Sequence, residues 1–157
     1  MEIKRERPSA KERCRKLAAE ALRNFAVWAQ KNAVSAFPVS TGCCFGFDLL
    51  RQAGAELVFN PHHADVLVIG GALSLKAAEA VRRIYEQMPG PKYVVAWGSC
   101  AAEDGLFSGS YAVARPSDIV PVDVYIPGCP PDAAAVAEGM AALRRVIEKK
   151  MTEGEKA

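Results

Sequence analysis

The sequence predicts an α/β domain: a mainly parallel sheet covered by helices on both faces. Three near-continuous apolar runs carry that reading, Asp65-Val66-Leu67-Val68-Ile69-Gly70-Gly71, Tyr93-Val94-Val95-Ala96-Trp97-Gly98 and Val122-Asp123-Val124-Tyr125-Ile126-Pro127. A strand buried on both faces reads as such a run and not as an alternation. Segments of helical periodicity separate the runs, which places the sheet between two helical layers. At 157 residues, 50% hydrophobic and 24% charged, the chain suffices for one ordinary core and is too apolar to be disordered.

Residues from about Ala10 to Gln30 read as a helix, because Leu17, Ala21, Phe25 and Trp28 or Ala29 recur at helical spacing against Lys11, Arg15, Lys16, Glu20 and Arg23. Ser9 with Glu12 forms a capping box. Met1 to Lys31 holds nine Lys/Arg against four Asp/Glu, so the basic charge of the chain gathers there. Such a segment suits anionic headgroups, an acidic partner, or simply water. Its apolar stripe is expected to pack on a partner subunit or on the body of the chain, with a membrane surface as the alternative. Cys14, alone on this helix, reads as a spare cysteine.

A strand over Val34 to Val39 leads into Cys43-Cys44. A helix over Phe47 to Ala53 stops at Gly54, a suitable C′ residue, and Glu56 to Phe59 is a short strand broken by Asn60-Pro61. Ser74 to Met88 is a helix with Ala77, Ala80, Val81, Ile84 and Met88 on one side. A glycine- and acid-rich loop comes after Gly98, and Asp132 caps a last helix that runs to Lys150. The organisation is then a basic amphipathic helix over 1–32, the α/β domain over 33–151 and a disordered tail over 152–157. No apolar stretch reaches the roughly 18 residues of a spanning helix. The first residues lack the apolar core of a secretory signal, which points to a reducing compartment.

There, cysteines are more often ligands or redox groups than disulfides. Cys43 and Cys44 cannot easily bond to each other, since a disulfide wants a Cα separation of roughly 4.4 to 6.8 Å and neighbours sit about 3.8 Å apart. Cys100 and Cys129 occupy similar glycine- and proline-marked turns after apolar runs. All three turns come after predicted strands, and ligands of an open parallel sheet bind beyond the carboxyl ends of its strands. The four thiols can therefore converge. Four thiolates suit zinc or an iron-sulfur cluster. Structural zinc usually takes close pairs of cysteines, whereas a 4Fe-4S cube is larger, presents four separate irons at alternate corners and tolerates one adjacent pair with two distant singles. The cluster is the preferred reading, with zinc and unrelated buried cysteines as alternatives.

Four blocks then resemble a known family: Phe59 to Gly71, Arg82 to Val95, Gly98-Ser99-Cys100-Ala101, and Val120-Pro121-Val122-Asp123-Val124-Tyr125-Ile126-Pro127-Gly128-Cys129-Pro130-Pro131. They look like the small, 20 kDa (PSST-type) cluster-bearing subunit of respiratory complex I, and they are similar to the small subunits of membrane-bound NiFe hydrogenases. The adjacent pair Cys43-Cys44 favours the complex I branch, since the hydrogenase branch usually spaces these ligands Cys-x-x-Cys. The resemblance implies a flavodoxin-like domain with one 4Fe-4S cluster on Cys43, Cys44, Cys100 and Cys129, passing electrons to quinone at the interface with a large subunit of 49 kDa or hydrogenase type. It further implies a ferredoxin-like 2x4Fe-4S subunit upstream, membrane subunits nearby, a peripheral place on the cytoplasmic side of the membrane, and no catalysis by the chain alone. No nucleic-acid partner is expected. The sequence departs from the family at two points: Phe45-Gly46-Phe47-Asp48 replaces a longer segment that helps to line the quinone cavity, and Asp132 stands where arginine is common. A rival of another class is a scaffold whose cysteines hold zinc or nothing.

Other residues weigh less. His62 and His63 precede a strand at its amino end and read as surface residues. Thr41-Gly42 has some likeness to a flavin phosphate loop, but Cys43-Cys44 comes next in place of hydroxyl-rich residues. Glu103 and Asp104 read as solvated carboxylates and Trp97 as core, while Tyr111 lies in a loop that the resemblance places near the cluster. No Walker loop or Ser-His-Asp arrangement occurs.

Overall fold

The computed structural model describes residues 10–44, 46–102 and 105–153, with only the backbone at positions 10, 11, 13, 14, 23, 30 and 153. Ser9, Phe45, Glu103, Asp104, the Cys14 side chain and the end of the expected tail lie outside what is described. The strands are β1 (Val34–Ser40), β2 (Ala55–Leu57), β3 (Val66–Gly70), β4 (Leu73–Ser74), β5 (Tyr93–Trp97), β6 (Val113–Ala114) and β7 (Val124–Ile126). The helices are α1 (Ala10–Asn32), α2 (Asp48–Gln52), α3 (Leu75–Gln87), α4 (Pro116–Ile119) and α5 (Ala133–Glu153), with a 3-10 turn at Pro61–His63.

Five parallel strands form the main sheet in the order β2-β1-β3-β5-β7. Renumbered among themselves, these strands run 2-1-3-4-5, the flavodoxin-like order. Alternate side chains divide the core into two layers. Val66, Val68, Tyr93, Val95, Trp97, Val124 and Ile126 face α2 and α5, where Leu50, Val136, Met140, Leu143 and Ile147 meet them. Leu67, Ile69 and Val94 face the opposite way, against Ala78 and Val81 of α3 and Val120 after α4. Gly139 brings α5 close to the sheet, since a Cβ there would lie 2.5 Å from Cγ1 of Ile126.

Local signals act as expected at most ends. Ser74 Oγ accepts from Ala77 N at 3.2 Å and Asp132 Oδ1 accepts from Ala135 N at 2.8 Å, each capping a helix. Arg144 Nη2 donates to the Ala53 carbonyl at 2.9 Å, satisfying an orphan acceptor at the end of α2 and tying it to α5.

Several expectations need correction. On α3 it is Ala78 that is buried, while Ala80 is exposed, because the helix rests on the sheet along Ala78 and Val81. The loop after Gly98 contains α4 and β6, the latter pairing antiparallel with β4. The last helix continues through Thr152, whose hydroxyl bonds back to the Glu148 carbonyl at 3.1 Å. On α1 the stripe does not pack on the body: Leu17, Leu22, Phe25 and Trp28 are all exposed. The helix meets α5 at its end, where Lys31 Nζ lies 2.8 Å from Glu148.

Candidate metal centre

The site starts from register. Ser40, Gly70, Trp97 and Ile126 form one continuous row across β1, β3, β5 and β7 at the carboxyl edge of the sheet. Three residues beyond Ser40, Trp97 and Ile126 stand Cys43, Cys100 and Cys129. Equal offsets from an in-register row bring three loops to one height above the sheet. The fourth strand of the row ends instead in Gly70-Gly71, against which the first cysteine loop packs: a Cβ on Gly71 would lie 2.8 Å from Gly42 N.

Hydrogen bonds carry the ladder past the strands. Thr41 N and Thr41 Oγ1 both donate to the Gly70 carbonyl, at 2.8 and 3.0 Å. Gly98 N donates to Ile126 O and Ser99 N to Gly128 O, both at 2.8 Å, and Gly128 N returns a bond to Ser99 Oγ at 3.3 Å. The Cys100 and Cys129 loops are thus stitched together. Gly98 closes the centre, because a Cβ built on it would meet Cys44 Sγ at 2.8 Å and Gly128 O at 3.4 Å.

Cys44 is buried at 2% exposure, Cys100 is half-buried, and Cys43 and Cys129 are exposed; none is in a disulfide. Burial pushes the Cys44 thiol above its ordinary value, and the charges of Cys43, Cys100 and Cys129, then a hydrogen bond with Cys43, push it further. The buried Cys44 thiol therefore feels the other three. Among the described residues no group of three or more His, Cys, Asp or Glu is placed to hold a metal ion. Four thiols on three loops, one buried and two reaching solvent, have the donor chemistry that a thiolate-bound cluster needs.

The structure leaves the lesser candidates apart. His62 and His63 are exposed on the 3-10 turn, before the amino end of β3 and so away from the cysteines. The Thr41 hydroxyl is committed to Gly70. Tyr111 is 95% exposed, and the small cleft beside Cys100 is lined by Phe107 and Val113 instead. Sequence reasoning missed Gly105, whose Cβ would stand 2.5 to 2.7 Å from Cα, N and Sγ of Cys100. No local pattern marks it, since a glycine in a glycine-rich loop signals only a turn.

The sequence profile of the NADH ubiquinone oxidoreductase 20 kDa subunit family matches residues 15–143. The chain belongs to that family. It is 42% identical over 130 residues to the NADH-quinone oxidoreductase B subunit of Bdellovibrio bacteriovorus, an alignment covering 76% of this chain and 69% of that protein. To the corresponding B subunit of Heliobacterium modesticaldum it is 41% identical over 133 residues, covering 77% and 75%. Among solved structures, a chain of the membrane-bound sulfane sulfur reductase, an archaeal respiratory membrane complex, is 32% identical with a TM-score of 0.69. That likeness covers 80% of this chain and 76% of the other.

Proposed function

We propose that the chain is the electron-transfer subunit of a complex I-like, membrane-associated oxidoreductase. Cys43, Cys44, Cys100 and Cys129 hold one 4Fe-4S cluster, from which electrons pass to a quinone site shared with a larger subunit. The observation that carries this is the row of strand ends, three of them with a cysteine three residues beyond, with the buried Cys44 thiol beside them raised by burial and by the charges of the other three. Bound there, a cluster supplies a one-electron couple. A 4Fe-4S cubane has its four irons at alternate corners, one for each thiolate, so its four ligands need not meet at one point as they must around zinc.

The chain's own residues divide the work. Cys44 is the inner ligand, shielded from water, and Cys43 and Cys129 mark the side open to a partner. The Gly98, Ser99 and Gly128 backbone holds two of the loops rigid, and burial with local charge sets the potential. The chain is peripheral, on the cytoplasmic face of the membrane. Among the described residues no helix is long and apolar enough to cross a membrane. Its partners are the large subunit, a ferredoxin-like 2x4Fe-4S subunit that delivers electrons, and membrane subunits.

A second reading changes only the acceptor. The connection from Cys44 to α2 is short, Phe45-Gly46-Phe47, and the solved relative serves a sulfur reductase. Both favour an acceptor other than quinone, as in the alternative of a hydrogenase-related assembly. Anaerobic reconstitution and EPR of the dithionite-reduced protein test the cluster: a single 4Fe-4S signal, lost in Cys129→Ser, is expected. A colourless protein with one tightly bound zinc would leave a scaffold as the function. Turnover of the intact complex with quinone against protons or sulfane sulfur decides the acceptor.

A further inference from the structure

The indole of Trp97 is fully buried, yet its Nε1–H has no hydrogen-bond partner. An indole nitrogen can only donate, and native structures leave few buried donors unsatisfied. The ring belongs to the layer that also contains Cys44, Leu50, Ile126, Val136, Met140 and Leu143. The aliphatic members cannot accept; the acceptors of the layer are the sulfurs of Cys44 and Met140 and the unpartnered hydroxyl of Tyr93, and of these only Cys44 belongs to the cysteine loops.

Trp97 also stands at the site itself. It closes β5 in the row below the cysteine loops, and the next residue, Gly98, is the one whose Cβ would meet Cys44 Sγ. Its ring packs on Phe47 with centroids 5.5 Å apart. Phe47 in turn reaches the Gly70 backbone beside Cys44, where a Gly70 Cβ would be 3.1 Å from Phe47 Cζ and 3.4 Å from the Cys44 carbonyl oxygen.

We propose that Trp97 Nε1–H is the hydrogen-bond donor to sulfur on the Cys44 side of the bound cluster. This rests on the cluster reading above. Reduction by one electron adds negative charge to the cluster and its thiolates. A donor aimed at that sulfur stabilises the reduced form more than the oxidised one and raises the potential. Trp97 would then be a tuning residue of the centre and not only part of the core.

The test uses the full chain, reconstituted anaerobically and reduced with dithionite. In a Trp28→Phe background, 15N-indole tryptophan labels Trp97 alone, because the chain has two tryptophans. Pulsed EPR should show 15N hyperfine coupling to the cluster spin. Trp97→Phe should keep the cluster, while the reduced-to-oxidised ratio at the wild-type midpoint falls about tenfold, equal to about 59 mV for one electron. A cluster signal with no 15N coupling overturns the proposal and leaves the cluster reading intact; so does an unchanged midpoint in Trp97→Phe. Absence of any cluster signal overturns both. Should Trp97→Phe fail to fold, the labelled protein still decides.

Discussion

Gly98 and Cys44 stand so close that a Cβ on Gly98 would lie 2.8 Å from the Cys44 sulfur. Gly98 also holds φ +86°, a conformation that L side chains rarely adopt. Gly98→Ala should therefore act twice. The strained backbone lowers stability by about 1–2 kcal/mol, and the methyl displaces the buried Cys44 sulfur. Denaturant unfolding of the apoprotein checks the first effect, and iron and sulfide content after reconstitution checks the second. Wild-type iron content in a folded Gly98→Ala protein would remove Gly98 from the site.

Gly105 presses on Cys100 in another way. No positive φ is involved, so the effect is steric: a Cβ would stand 2.6 Å from the sulfur and 2.5 Å from Cα. Gly105→Ala should shift Cys100 and leave the sheet alone. Stability should fall by about 1–3 kcal/mol, as overpacking does, with a broadened or shifted EPR spectrum. An unchanged spectrum would mean that the loop yields without moving Cys100.

Much of this was legible in the residues. The runs through Val68, Val95 and Ile126 announce buried parallel strands, and a parallel sheet gathers the loops beyond its strands at one edge. That rule alone brings the loops of Cys43, Cys44, Cys100 and Cys129 together. Less visible was the common offset of three residues, which depends on the register of Ser40, Gly70, Trp97 and Ile126, and register is a property of pairing. Gly105 and the β4–β6 ribbon were hidden for a related reason: two-residue strands have no periodicity, and long-range contact leaves no local trace. The stripe of α1 read correctly as amphipathic, but a pattern does not say which surface it meets.

Tyr93 makes a prediction about alkaline pH. Burial, and then the charges of Asp123 and Asp65, hold its hydroxyl above the ordinary value of 10.0. The unfolded chain therefore loses this proton at lower pH than the folded one. The stability linked to Tyr93 is complete below about pH 10 and is lost as pH rises toward the folded value. Its hydroxyl is also buried without a partner, so Tyr93→Phe removes nothing that is bonded. The variant should match or exceed wild-type stability at pH 7, within about 1 kcal/mol, and lose less of it above pH 10. A clear destabilisation at pH 7 would show that the hydroxyl has a partner, such as a bound water.

At the amino edge of the sheet, Asp123 and Lys150 form a pair whose members should respond unequally. Asp123 Oδ1 lies 2.5 Å from Lys150 Nζ, while Oδ2 accepts from Val94 N at 3.0 Å. The Asp123 side chain is only 10% exposed and that of Lys150 is 48% exposed. Lys150→Ala breaks a half-exposed ion pair and should cost under about 1 kcal/mol. It also frees one face of Tyr93, over whose ring Nζ sits at 5.2 Å. Asp123→Ala strips a buried backbone N–H of its side-chain acceptor and should cost about 1–3 kcal/mol. Chemical denaturation of the two single variants and the double variant separates these terms. The double variant should be little worse than Asp123→Ala alone, because the ion pair is already lost once Asp123 is gone. Equal costs for the two single variants would mean that the ion pair, and not the bond to Val94, is what Asp123 contributes.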